Sequence, residues 1–219
     1  MIALAIETAT PACAVALEVD GEVAEAVLDL ERRHTEVLAA GVARLLAARG
    51  VAPADLDRVV VDRGPGLYTG LRVGIATALG LALATGAGLV GVTSLEVLAA
   101  AAARAGATGE LVALVDARRG EVFAQRFSLE PVAALDLARV LRPGALAPEL
   151  AARPALLCGD GARRYREALG GAEALDLAVP PPSAALELAR GREPVEAVVP
   201  LYLREADAVA NFTTRTRAT

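Results

Sequence analysis

Ile2-Ala3-Leu4-Ala5-Ile6-Glu7 is an apolar run that closes on an acid and meets the turn-prone Thr8-Ala9-Thr10-Pro11 at once. A run of this length between turn signals reads as a buried strand. Residues 12–19 resume the pattern, Asp20-Gly21 makes a hairpin turn and 22–28 return, so the chain opens as a β-meander. The same design recurs at Leu111-Val112-Ala113-Leu114-Val115-Asp116, with a turn at Ala117-Arg118-Arg119-Gly120 and a returning strand at 121–128. One opening used twice, each time followed by helical segments, predicts an α/β chain of two lobes facing across a cleft.

Between the two openings, Thr35 caps a predicted helix over 36–49 that Gly50 closes, with Leu38, Val42, Leu45 and Leu46 as its aliphatic stripe. A strand at 56–61, a glycine-rich turn at 64–70, a helix at 71–85, a strand at 89–92 and a helix from Ser94 follow. Beyond 128 the pattern weakens. Residues 131–150 read as irregular, 155–158 as a short strand, and Gly159-Asp160-Gly161 as a turn into a helix ending near Gly170-Gly171. Pro180-Pro181-Pro182 precedes a helix at 183–190. The expected division is a first lobe at 1–102 with 198–212 packing back on it, a second lobe at 103–197, and a flexible tail at 213–219.

A chain of 219 residues, 55% of them hydrophobic, can bury roughly 70% of its unfolded surface and needs neither disulfide nor metal to hold a core. Its net charge of −5 argues against a strongly phosphate-seeking domain. Cys13 and Cys158 are too few and too far apart for a disulfide framework or a thiolate zinc site, which points to a reducing, cytoplasmic compartment. With His34 as the sole histidine, a two-histidine metal site on one helix cannot be built. No Gly-x-Ser-x-Gly elbow accompanies it for a serine triad. The charge-free run from Val73 to Leu95 is long enough to span a bilayer, but threonines and Gly86-Ala87-Gly88 interrupt it. It reads as a buried helix followed by a buried strand, with no membrane segment and no leader before Met1.

Two features carry candidate function. In the turn, Gly64, Pro65, Gly66, Thr69, Gly70 and Arg72 follow a strand and open a helix, a geometry that can receive an anion on backbone amides. The spacing is neither a Walker A loop nor a dinucleotide fingerprint, and the competing reading is a tight turn with Thr69 as N-cap. The helix after it is apolar all round: Leu71, Ile75, Leu79 and Leu83 lie on one side, Gly70, Gly74, Ala78 and Ala82 on the next. Such a helix must be covered all round, either by the helix at 36–49 or by another subunit. Glu7 and Asp116, with Thr8 and Thr10 nearby, end the paired strands and either flank a magnesium-bound phosphate in the cleft or are solvated strand ends. His34, after Arg32-Arg33, reads as a ligand for an acidic partner or RNA, or as an ordinary surface residue.

Several of these segments together resemble the bacterial TsaB (YeaZ) family, the dimerisation subunit of the tRNA threonylcarbamoyladenosine biosynthesis complex. They are Ile2 to Leu17, Arg33-His34-Thr35-Glu36-Val37-Leu38, Gly64 through Gly74, Gly91 to Glu96, Asp116 to Phe123, and Tyr202-Leu203-Arg204. Two departures are Leu67-Tyr68, where the family carries Ser-Phe, and the charged Asp62-Arg63.

The resemblance implies an actin-like (ASKHA) fold of two βββαβα-type lobes. It also implies a non-catalytic subunit that supports a TsaD-type catalytic subunit in threonylcarbamoylation of the tRNA adenosine next to the anticodon. A TsaE-type ATPase is a further partner, the chain alone forms a homodimer, tRNA is contacted only through the complex, and no cofactor or metal is bound. The HxxxH metal site of the TsaD-type catalytic subunit has no counterpart here, since Leu38 stands four residues after His34. The implied subunit interface comprises His34, Leu38, Val42, Leu45, Gly70, Leu71, Gly74, Ile75, Ala78 and Ala82. A competing reading is an ATP-dependent small-molecule kinase using the interlobe cleft, where Glu7, Thr8, Thr10 and Asp116 would be nucleotide-site residues. A metallopeptidase stands third.

Overall fold

The computed structural model describes residues 1–30 and 33–204. Its first sheet is built from β1 (Ile2–Glu7), β2 (Cys13–Val19), β3 (Glu22–Asp29), β4 (Arg58–Asp62) and β5 (Gly88–Val92), in the order β3-β2-β1-β4-β5. The β1–β2–β3 meander is antiparallel, and β4 and β5 continue parallel to β1. β1 is apolar at every position before Glu7 because both of its faces are covered, as parallel neighbours require. Leu4 and Ile6 join one core with α1 (His34–Ala48) and α2 (Tyr68–Thr85), while Ala3 and Ala5 join another with α3 (Ser94–Arg104) and α6 (Pro182–Ala189). Each such leucine or isoleucine taken out of water stabilises the fold by about 1.5–3 kcal/mol.

The second sheet runs β10 (Leu156–Cys158), β6 (Glu110–Arg118), β7 (Glu121–Leu129), β8 (Val132–Ala134), with β9 (Arg139–Leu141) also on β7. The α3 helix lies between the sheets. Its Val97, Ala100 and Ala101 face the first, and its Leu95, Leu98, Ala99 and Ala102 pack with Leu111, Ala113, Val115 and Phe127 of the second. Thr93 and Glu96 form a reciprocal capping box that fixes where α3 begins. On the outer face, α4 (Ala147–Ala152) and α5 (Asp160–Arg164) enclose Val112, Leu114 and Val122. Layered α/sheet/α/sheet/α, with the meander and parallel strands of the first lobe, this is the α/β actin-like arrangement.

The structure corrects the sequence reading in several places. The second lobe is abbreviated: its third strand is the pair of short strands β8 and β9, so residues 131–150 are not irregular. The α6 helix covers β1, β2, β4 and β5 and therefore belongs with the first lobe, not with a second lobe at 103–197. The segment after it stays there, since Val195 N donates to Leu89 O, Leu201 N to Arg63 O, and Val198 enters the first core. Residues 205–219, with the expected tail at 213–219, lie outside the described residues. Both helices flanking the glycine-rich turn start earlier than expected, α1 at His34 and α2 at Tyr68, with Arg33 and Leu67 as N-caps and no side-chain cap bond.

Candidate functional site

Parallel pairing sets Ile6 beside Val61, so the next residues of β1 and β4, Glu7 and Asp62, stand side by side. Both are buried, 2% and 1% exposed. Glu7 Oε1 accepts from Thr10 N at 3.0 Å and Thr10 Oγ1 at 3.1 Å. Asp62 Oδ1 accepts from Gly64 N at 2.7 Å and Ser94 Oγ at 2.9 Å. The other two oxygens, Glu7 Oε2 and Asp62 Oδ2, find no donor elsewhere among the described residues. Burial, and after it the Asp62 charge, push Glu7 well above the usual carboxylate range, and burial raises Asp62 as well. Two carboxyls in one dry site do not both ionise, so the pair retains a proton.

Asp116, at the matching place in the second lobe, is balanced by cations instead. Its Oδ1 accepts from Arg118 N at 2.9 Å and Tyr165 OH at 3.1 Å, and its Oδ2 pairs with Arg118 Nη1 at 2.9 Å and Arg164 Nε at 3.7 Å. The expectation that Glu7 and Asp116 hold a magnesium-bound phosphate between them finds no support in this geometry: Glu7 is turned toward Thr10 and Asp62, and Asp116 toward Arg118, Arg164 and Tyr165. Thr10 is spent on Glu7, and Thr8 Oγ1 donates to Gly70 O at 2.8 Å. Among the described residues no three His, Cys, Asp or Glu side chains gather where a metal ion could sit.

The glycine-rich turn docks beneath the β1–β2 turn. Leu67 N donates to Ala9 O at 2.6 Å. A Cβ on Gly66 would collide with the Ala9 carbonyl and one on Gly70 with the Thr8 carbonyl, while Gly64 takes φ +99°. These glycines answer to backbone approach between two turns. Pro65 O accepts from Ser94 Oγ at 3.0 Å, which ties the turn to α3. Thr69 is not the N-cap but an exposed residue of the first helical turn, and Arg72 lies outside with its guanidinium over the Tyr68 ring.

The α2 helix is covered by its own chain on the sides that carry the expected interface residues. Its small-residue ridge, Gly70, Gly74, Ala78 and Ala82, is buried in the chain's own fold, as are Leu71 and Ile75. A Cβ on Gly74 would strike Thr8 Oγ1. His34, Leu38 and Val42 of α1 are buried likewise, and Leu45 is half-buried. His34, expected at the surface, is 4% exposed, with its ring against Gly70 and its Nε2 without a hydrogen-bond partner among the described residues. None of the fully buried residues of the expected interface is available to a partner. The open face of α2 is Thr69, Arg72, Ala76, Gly80, Leu83 and Ala84, with Leu83 76% exposed, and Ala40, Ala43 and Ala47 of α1 are exposed as well. By length and composition α2 could cross a membrane, and 33% of it is buried.

Sequence reasoning missed Asp62 and the outer face of α2. Asp62 was legible as a second acid ending a strand, once β4 is placed beside β1.

Fold and site together define a two-lobed actin-like α/β protein whose strand-end carboxyls are turned inward. The family model for TsaD, tRNA N6-adenosine threonylcarbamoyltransferase, matches residues 28–138. The chain is similar to the tRNA threonylcarbamoyladenosine biosynthesis protein TsaB of Escherichia coli, 40% identical over 120 residues, which covers 55% of this chain and 52% of that one. An uncharacterized protein of Mycobacterium tuberculosis is 34% identical over 217 residues, 94% of this chain and 92% of its own. The crystal structure of YeaZ from Pseudomonas aeruginosa superposes with a TM-score of 0.80 at 31% identity, covering 92% of this chain and 99% of that one. The chain belongs to the TsaB (YeaZ) family, and its match spans about half the length of the E. coli relative.

Proposed function

We propose that this chain is a non-catalytic scaffold that supports a TsaD-type subunit in threonylcarbamoylation of the tRNA adenosine next to the anticodon, with a TsaE-type ATPase as further partner and a homodimer as its state when alone. The observation that carries this reading is the outer face of α2: Ala76, Gly80, Leu83 and Ala84 form an apolar strip open to solvent on a helix otherwise packed on the sheet. Exposed apolar strips of this kind mark protein contact sites. The chemistry supports it from the other side. The strand-end acids are occupied internally, and the sole histidine is buried with Leu38 one turn on. Binding through α2 would favour the competent conformation of the partner, which requires that the partner's states differ in affinity for this face.

The test contrasts the two faces of one helix. Leu83→Glu, at an exposed position, leaves the melting temperature unchanged and abolishes co-purification with the TsaD-type subunit. Gly74→Glu, on the buried ridge, unfolds the chain. Unchanged affinity of the folded Leu83→Glu variant for its partner would sink the scaffold reading.

A further inference from the structure

All three tyrosines of the chain lie with arginines in two surface clusters, one on each face of the second sheet, which the β6–β7 turn joins into a strip that bends around the end of that sheet. It begins on α2, where the Arg72 guanidinium sits 3.9 Å over the Tyr68 ring. Tyr68 packs on Tyr202 with ring centroids 5.3 Å apart, and Arg72 Nε donates to Tyr202 OH at 3.3 Å. Two residues on, Arg204 pairs with Glu121 at the foot of the β6–β7 turn. That turn carries Arg118 and Arg119, both with left-handed backbone at φ 65° and 54°. Side chains with a Cβ seldom adopt this conformation. From there Arg118 and Arg164 meet at Asp116, and Arg164 lies 5.6 Å over the Tyr165 ring.

The strip stays open to solvent. Tyr68 and Tyr202 are each 44% exposed, and the Arg164 side chain is 60% exposed. Among the described residues Arg72, Arg118, Arg119, Arg164 and Arg204 outnumber Asp116, Asp160 and Glu121 here, although the chain as a whole is net −5. A local excess of positive charge on an acidic protein attracts an anionic partner to that place. An acidic peptide would use the charges and gain little from the rings. A single-stranded nucleic acid uses both, since each phosphate meets an arginine and each unstacked base has a face to lay on tyrosine or guanidinium.

We propose that the Tyr68–Arg72–Tyr202–Arg204–Arg119–Arg164 strip binds single-stranded RNA directly. This goes beyond the scaffold role, in which tRNA is reached only through the complex, and it stands on the surface of this chain alone. The probe is a fluorescein-labelled single-stranded RNA of about twelve mixed-sequence nucleotides, titrated with the full chain and followed by anisotropy between about 50 and 200 mM salt. Wild-type protein binds it, and a duplex of equal length binds more weakly. Tyr202→Ala weakens binding about fivefold or more, whereas Tyr202→Phe, which keeps the ring, retains it. Arg119→Ala lowers the salt slope by about 0.7, the value of one released counterion on a single strand. Melting curves report the fold of each variant independently of binding. The proposal is overturned by no anisotropy change with wild-type protein, by equal affinity of folded Tyr202→Ala, or by polyglutamate competing as well as RNA. None of these readouts involves the TsaD-type partner, so loss of the scaffold reading leaves this result standing, and the reverse.

Discussion

Glu7 and Asp116 hold the same place in a twice-used design, and the two lobes neutralise them by different means. Glu7 is enclosed with a second carboxyl and keeps a proton, whereas Asp116 is bracketed by Arg118, Arg164 and the Tyr165 hydroxyl. Burying a lone carboxylate costs several kcal/mol, so a strand-end acid facing inward must be discharged or paired. In each lobe a carbonyl near the strand-end acid, that of Ala9 two residues after Glu7 and that of Leu114 two residues before Asp116, sits against a glycine, Gly66 or Gly159, with no room for a Cβ. What differs between the lobes is the electrostatics, while each has a glycine pressed against a backbone carbonyl.

Substitutions at the shared backbone contact should have the largest effect. Gly66→Ala and Gly159→Ala each drive a Cβ into a carbonyl and should lower unfolding free energy by about 3 kcal/mol, at the upper end of overpacking costs. Gly159→Ala should suffer more because φ there is +97°. An unchanged urea midpoint in either variant would break the comparison between the two contacts. Next comes Asp116→Asn, which keeps the shape and removes the charge that holds two arginines, for a loss of about 2 kcal/mol.

The same change in the first lobe, Glu7→Gln, should act in the opposite sense. Folded Glu7 holds its proton above the ordinary value of about 4.3, so the folded chain binds more protons than the unfolded one across that window. Wild-type stability therefore declines as pH rises through it. Glu7→Gln exchanges no proton, so its urea midpoint should fall less between about pH 5 and pH 8 and exceed wild type at the upper end. Parallel pH profiles for the two proteins would show that no proton is held at the pair.

Much of the first lobe is legible in the chain itself. The meander, the repeat at 111–128 and both helices beside the glycine-rich turn follow from apolar runs bounded by turn residues. The orientation of α2 is not, because periodicity locates a face only when one side is polar, and here both sides are apolar. Gly70 and Gly74 look like an outward ridge until the β1–β2 turn is in place, when they prove to be where that turn approaches. β8 and β9, at three residues each, carry too little alternation to register. Glu7 and Asp116 were recognisable as strand ends, but their partners come from elsewhere: Asp62 by parallel pairing, and Arg164 and Tyr165 from the end of α5, with Tyr165 49 positions downstream of Asp116.

Cys13 and Cys158 are both fully enclosed, and burial pushes the Cys13 thiol up to about 12 and raises Cys158 further. Neither sulfur offers a thiolate to a maleimide while the chain is folded. A cysteine introduced at exposed Ala76 would thus be the single labelling handle on native protein, and a dye or crosslinker attached there would report on the outer side of α2 with no need to remove the natural cysteines first.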